Sequence, residues 1–300
     1  PSVAHDSDIE GLKELAQVMK KNGAKAIVQI HHGGAQALPE LTPDGDVVAP
    51  SAISLKSFGQ QEEHDAREMT AEEIEQTIRD FGEATRRAIE AGFDGVEIHG
   101  ANHYLIHQFV SPYYNRRNDV WADNYKFPVA VIDEVVKAKK AHANDDFIIG
   151  YRLSPEEAES PGISMEITEE LIHQIANKPL DYIHVSLMDV NSVTREGKYK
   201  GENRLELIHQ WINGRMPLIG IGSVFTAEDA LNAVENIGVE FVALGREILL
   251  DYDFVAKIKE GREDEIINVF DPNREDQHYL TPNLWEQFNQ GFYPLPRKDK

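Results

Sequence analysis

Between Thr70 and Gly92 apolar residues recur at helical spacing. Ile74, Ile78, Phe81 and Ile89 fall near one face and charged residues fill the other. Thr70 and Glu73 form a capping-box pair, each able to satisfy a backbone N–H that the first helical turn leaves open. Gly92 ends the pattern, because a residue at ease in the left-handed region closes a helix without steric conflict. Thr226 and Asp229 offer a second start of the same kind. Elsewhere the chain shows short β-rich runs: "AKAIVQI", "FDGVEIH", "DFIIGYRL", "DYIHVSL", "MPLIGIG" and "VEFVALG", with amphipathic stretches between them. In the second run Val96 and Ile98 face one side, toward a helix layer, and Glu97 and His99 face the other.

Strand, helix and strand in this order imply parallel pairing through right-handed crossovers. An open doubly wound sheet and a closed (β/α)8 TIM barrel both satisfy that rule. No glycine-rich dinucleotide fingerprint follows any strand. Polar residues instead stand at the strand ends: Gln29, His31, His99, Arg152, Ser186, Ser223 and Arg246. A barrel gathers those ends around one mouth, whereas an open sheet scatters them along an edge. The expected fold is therefore α/β, a (β/α)8 barrel with six strands identifiable in this chain. Because the chain opens on a helix leading into a strand, the first two β/α units are expected to be absent. Residues 1–270 are expected to form the incomplete barrel. The tail from 271 to 300, with Trp285, Phe288, Phe292 and Tyr293 among prolines, is expected to pack on the barrel or on a neighbouring subunit.

Composition removes several classes of function. The chain has 300 residues, 41% hydrophobic and 27% charged, no cysteine and a formal net charge of −22. That charge argues against a nucleic-acid or anionic-membrane partner. No apolar run reaches the roughly 18 residues that a membrane-spanning helix needs. Absence of cysteine rules out disulfides and thiolate metal sites, and fits a cytoplasmic protein. A homo-oligomer remains open.

Candidate chemistry concentrates in "HGANHYLIHQFVSPYYNRR", from His99 to Arg117. His99, Asn102 and Tyr104 supply two hydrogen-bond donors and a phenol within six residues, suited to holding an oxygen and delivering a proton. The competing reading is a loop whose polar side chains satisfy turn backbone. His103 has no assignment. His31 and His32 are adjacent, so on a strand they point oppositely; no metal site is expected there. "IGIGSVFTAEDA" and "ALGREILLD" are strand–glycine–helix junctions able to hold a phosphate at Gly222, Ser223, Gly245 and Arg246, although tight turns need glycine in any case. Arg152 either points a permanent charge into the barrel mouth or pairs with Glu97. Arg195, Lys198 and Lys200 either reach a cofactor phosphate or are simply solvated.

In this order, "QIHHGG", "VAPSAI", "HGANHYLIHQFVSPYYNRR", "GYRLSP" and "ALGRE" resemble the old yellow enzyme family of FMN-dependent NAD(P)H oxidoreductases, over the chain from its first helix to about Asp251. The resemblance implies a (β/α)8 barrel with FMN at its mouth and NADH or NADPH as reductant. It places Gln29 and Arg152 on the flavin pyrimidine edge, and Gly222, Ser223, Gly245 and Arg246 on the phosphate. By the same resemblance His99 and Asn102 would bind the substrate carbonyl, Tyr104 would donate the proton, and the substrate would be a small electrophile such as an α,β-unsaturated carbonyl compound. The alternatives are a phosphate-binding barrel lyase or isomerase, or a non-catalytic truncated barrel.

Overall fold

The computed structural model describes residues 2–278, 280–291 and 294–298; Phe292 and Tyr293 of the aromatic tail lie outside the described residues. The chain divides into two compact units, one of residues 1–186 with 193–218 and one of 187–192 with 219–300.

In the first unit, α1 (Ile9–Lys20) leads into β1 (Ile27–Ile30). An excursion follows, with β2 (Val48–Ala49), β3 (Ile53–Leu55) and β4 (His64–Glu68) forming a small sheet of order β2-β4-β3. Then come α2 (Ala71–Glu90), β5 (Gly95–Gly100), α3 (Leu105–Val110), α4 (Lys126–His142), β6 (Ile148–Leu153), α5 (Met165–Ile175), β7 (Tyr182–Val185) and α6 (Arg204–Ile212). β1, β5, β6 and β7 pair in parallel, in that order. The capping box of α2 is formed as the sequence requires: Glu73 N–H donates to Thr70 Oγ1 at 3.2 Å, and Thr70 N–H donates to Glu73 Oε2 at 2.8 Å. Gly92, at φ 83°, follows the end of α2.

Alternation along these strands separates a dry face from a polar one. Val96, Ile98, Ile149, Tyr151, Ile183 and Val185 are all fully buried, as are Ile74 and Ala88 of α2. Each such aliphatic side chain contributes about 1.5–3 kcal/mol relative to exposure. The register sets Gln29 beside Glu97, Glu97 beside Gly150, His99 beside Arg152, and Arg152 beside His184. The opposite face of the four strands is thus lined by the side chains that carry the chemistry.

The second unit holds most of β8 (Leu218–Ile221), then α7 (Ala227–Asn232), β9 (Phe241–Ala243), α8 (Arg246–Leu250), α9 (Phe254–Lys259) and α10 (Pro282–Asn289). β8 and β9 are parallel. The Thr226 and Asp229 capping box opens α7 as expected. Leu250, Phe270, Phe288 and Leu295 form a buried cluster with Phe225 and Trp285 packed against it. Arg297 lies over the Phe270 ring at 4.9 Å and donates to the Phe288 carbonyl.

All six strands read from the sequence are present. The short strands β2, β3 and β4 are additional to them.

Candidate active site

Glu97 anchors the polar face. Its Oε1 accepts from Gln29 Nε2 at 2.5 Å, and its Oε2 lies 3.0 Å from His184 Nδ1. Burial alone would raise the Glu97 carboxyl, but hydrogen bonds from His184, Gln29 and Tyr182 hold it below its ordinary value. Tyr182 reaches Glu97 across Gly150; a Cβ at position 150 would run into the Tyr182 ring. With its NH2 committed to Glu97, the Gln29 amide turns its oxygen outward, and that Oε1 has no hydrogen-bond partner among the described residues.

Arg152 does not pair with Glu97, contrary to one of the sequence alternatives. It donates from Nη2 to Ser186 Oγ at 3.0 Å, and its Nε is buried without a partner among the described residues. Burial pulls the guanidinium below its ordinary value, partly offset by the charge of Glu97. A part-buried cation with an unused donor is costly in a closed interior, so the arrangement suits an electron-rich ligand edge.

His99 is 3% exposed. Burial, reinforced by the charge of Arg152, holds its imidazole down to about 3, so it is neutral at physiological pH. Its Nδ1 is buried without a partner. The rings of His31, His99 and Tyr104 form a cluster: His99 to Tyr104 5.3 Å, His31 to Tyr104 5.1 Å and His31 to His99 5.9 Å. Phe58, carried by the excursion between β1 and α2, approaches Tyr104 at 6.3 Å. The Tyr104 hydroxyl makes no hydrogen bond among the described residues, and the residue is part-exposed.

Asn102 sits in a turn where it and His103 both take left-handed backbone, at φ 57° and 59°. Asn102 N–H donates to Ser154 Oγ at 2.9 Å, while its Oδ1 accepts from Ser186 Oγ at 3.0 Å and Ser154 Oγ at 3.3 Å. That leaves Nδ2 as the group presented outward. Gln108 ties the turn to the loop after β1, donating to the His103 carbonyl at 2.5 Å and accepting from Ala35 N–H at 3.1 Å. Gly34, at φ 55°, must lack a side chain because Gln108 occupies the space its Cβ would take.

The second unit holds the residues expected at a phosphate. Arg246 donates to Ser223 Oγ at 3.2 Å, to the Met188 carbonyl at 3.1 Å and to the Pro294 carbonyl at 2.8 Å. No carboxylate pairs with it among the described residues, which leaves its charge for an anion. Gly222, at φ 129°, packs against the backbone of Met188 and Asp189, where any Cβ would collide. Gly245 precedes α8, and a Cβ there would make ordinary contact with the Ile221 side chain at 3.8 Å.

Arg195 and Lys198, considered above as phosphate ligands, are engaged elsewhere: Arg195 with Glu156 and the Glu157 carbonyl, Lys198 with Glu169 and Tyr199. Sequence reasoning missed Ser154 as a support of Asn102, and Glu97 as the group orienting Gln29. It also missed a close trio, His103, His107 and Glu157, the last two buried and His103 partly so. A cavity of about 870 Å³ opens beside β1, bordered by Gln29 and His31 as well as Leu12 and Phe81; His99, Tyr104 and Arg152 do not line it. No helix among the described residues is long and apolar enough to cross a membrane.

Comparison with known proteins gives these groups a context. Residues 1–265 match the family described as NADH:flavin oxidoreductase / NADH oxidase. The chain is 48% identical over 300 residues to the probable NADH-dependent flavin oxidoreductase YqiG of Bacillus subtilis, covering 98% of this chain and 79% of that one. It is 40% identical over 293 residues to an NADH:fumarate oxidoreductase of Klebsiella pneumoniae, covering 94% of this chain but 31% of that protein. Among solved structures, histamine dehydrogenase from Rhizobium is similar at a TM-score of 0.73 and 25% identity, over 87% of this chain and 38% of that one. Morphinone reductase, at a TM-score of 0.70 and 24% identity over 87% of this chain and 73% of that one, shows the same fold. Fold and family agree with the resemblance drawn from the motifs. Each unit taken by itself also fits a part of the family's cofactor FMN: in the first, the outward Gln29 oxygen and unused Arg152 Nε suit a flavin edge, and in the second, Arg246 suits a phosphate. The chain is an oxidoreductase of the NADH:flavin oxidoreductase / NADH oxidase family, the old yellow enzyme type, whose cofactors are FMN and NAD(P)H.

Proposed function

We propose that this chain reduces the activated C=C bond of an α,β-unsaturated carbonyl compound at the expense of NAD(P)H, with Tyr104 as proton donor. The observation that carries this reading is the free Tyr104 hydroxyl 5.3 Å, ring to ring, from a neutral His99, beside an Asn102 whose amide NH2 faces outward. Two relatives support the substrate class by name: the fumarate oxidoreductase and an NADH:acrylate oxidoreductase of Vibrio harveyi, 38% identical over 289 residues. Both are much longer than this chain, which spans 31% and 28% of them.

Gln29 and Arg152 hold the pyrimidine edge of the flavin, one accepting and one donating. Gly222, Ser223, Gly245 and Arg246 hold the phosphate. Bound FMN supplies two-electron hydride transfer, chemistry that no side chain offers. His99 and Asn102 each donate to the substrate carbonyl and favour the negative charge that builds on its oxygen. His99 does so as a neutral imidazole, so it polarises without giving up its proton. Tyr104 delivers a proton to Cα, and its part-exposed position lets solvent restore that proton.

The test is an absorbance spectrum of the FMN-loaded protein, before and after anaerobic NADH or NADPH and again after 2-cyclohexenone. Bleaching of the flavin band followed by recovery supports the reading. Bleaching with no recovery on any unsaturated aldehyde, ketone or carboxylate defeats the substrate assignment. Failure to take up FMN defeats the site.

A further inference from the structure

His103 has no role in the chemistry above, yet with His107 and Glu157 it forms a close group of three metal-ligating side chains. We propose that His103 Nδ1, His107 Nε2 and Glu157 Oε2 bind a divalent transition-metal ion of the zinc type, under the turn that carries Asn102 and Tyr104.

The three ligating atoms lie within 4.8 Å of one another. His107 Nε2 is 2.7 Å from Glu157 Oε2, and His103 Nδ1 is 3.6 Å from the same oxygen. Ligand bonds of about 2.0–2.2 Å in tetrahedral geometry put neighbouring donor atoms about 3.3–3.5 Å apart, so the two spacings bracket the value an ion demands. The His107 and Glu157 side chains are fully buried, and His103 is 25% exposed. Two ligands are therefore closed off and the third borders an entry path.

Two features point to a missing cation. Among the described residues His103 Nδ1 is buried with no hydrogen-bond partner, and so is Glu159 Oε2 nearby. The two carboxylates also lack a basic partner: among the described residues Glu157 pairs only with the two histidines, and the nearby Arg195 guanidinium goes to its backbone carbonyl. A divalent ion neutralises that charge.

The supports are already in place. Glu157 Oε1 accepts from Ser111 Oγ and from Ile163 N–H at 2.8 Å, which fixes the carboxylate and leaves Oε2 to face the imidazoles. His103, in the left-handed turn before α3, and His107, within α3, bring their rings to 4.7 Å between centroids. To ligate through Nε2, His107 must carry its proton on Nδ1. Two imidazoles and one carboxylate select zinc, cobalt or nickel over magnesium or calcium, which prefer oxygen throughout. The ion pins His103, the residue between Asn102 and Tyr104, to the loop after β6.

The test is zinc titration of the chelator-treated 300-residue chain by calorimetry, with bound metal counted by mass spectrometry, and cobalt used as a spectroscopic probe. One equivalent of zinc is expected, with a cobalt d–d band showing tetrahedral nitrogen and oxygen ligation. His103→Asn and Glu157→Gln are each expected to weaken zinc binding at least ten-fold, while His142→Asn, an exposed histidine on α4, leaves it unchanged. Circular dichroism of each variant separates loss of a ligand from loss of the fold. No binding by the folded wild type overturns the proposal, leaving a hydrogen-bonded His107–Glu157 pair. So does binding that survives His103→Asn, which assigns the ion to other histidines.

Discussion

Gln29 donates its amide NH2 to Glu97 across neighbouring strands at 2.5 Å, so the side chain cannot flip. A free glutamine offers either end of its amide. This one offers only its oxygen, which is the end an imide N–H needs. Glu97 thus acts on a ligand it need not touch. Glu97→Gln is expected to weaken FMN binding about ten- to hundred-fold, the size of one hydrogen bond to a charged group. In a double-mutant cycle, Glu97→Gln and Gln29→Ala should be far from additive. Fluorescence titration of FMN measures both; additive losses would show that the two residues act independently.

Tyr104→Phe removes a hydroxyl that holds nothing else in place. Reduction of the flavin by NADH should keep its rate, and reoxidation by 2-cyclohexenone should slow by roughly 10²–10⁴, the usual weight of a proton donor. Anaerobic stopped-flow absorbance follows each half-reaction. Equal slowing of both would remove Tyr104 from the proton-transfer role.

Glu247, one residue after Arg246, is 1% exposed, and neither of its oxygens has a partner among the described residues. Burial, helped by the charge of Asp251, pushes its carboxyl up to about 8. The folded chain therefore holds a proton at pH 7 that the unfolded chain releases near 4.5. Stability falls as pH rises through that window and levels off above about 8. Glu247→Gln removes the ionisation and should stabilise the chain by about 2–3 kcal/mol at pH 7, with less gain at pH 5. Urea melts at the two pH values test this; a gain that grows toward acid pH has the wrong sign.

Gly150→Ala puts a methyl group where the Tyr182 ring lies. The expected cost is about 1–3 kcal/mol in a urea melt, as for other overpacked cores. Displacing Tyr182 also loosens its bond to Glu97, so FMN affinity should fall alongside stability. An unchanged melt would show that Tyr182 has room to move.

The long elements were legible because their periodicity is strong. The four apolar residues along α2 and the β-branched runs of β5, β6 and β7 each carry a signal several residues long. β4 was not legible: His64–Glu68 reads "HDARE", with one apolar residue in five, and its pairing partners are only two and three residues long. At the site, His99, Asn102 and Tyr104 announced themselves because they share one stretch of chain. Their supports did not. Ser154 and Ser186 reach Asn102 from 52 and 84 residues away, brought there by β6 and β7. The same gap hid Glu157, 50 residues from His107, so the histidines could be weighed for metal only against their chain neighbours. Glu97 and Arg152 face the same side, as alternation predicted, but a closer competitor decided the pairing: His184 takes the Glu97 oxygen that a salt bridge with Arg152 would need.

The consecutive left-handed residues Asn102 and His103 restrict how this pocket can be altered. Only asparagine, aspartate, histidine and glycine enter that backbone region with any ease, and β-branched residues are effectively barred. A library that randomises both positions over the full amino-acid alphabet will consist mostly of variants that fail on backbone grounds before substrate is tested. Phe58 is different: it meets Tyr104 from an exposed loop whose backbone imposes no such filter at that residue. Substrate range in this chain is therefore easier to redesign from the excursion after β1 than from the stretch that carries the chemistry.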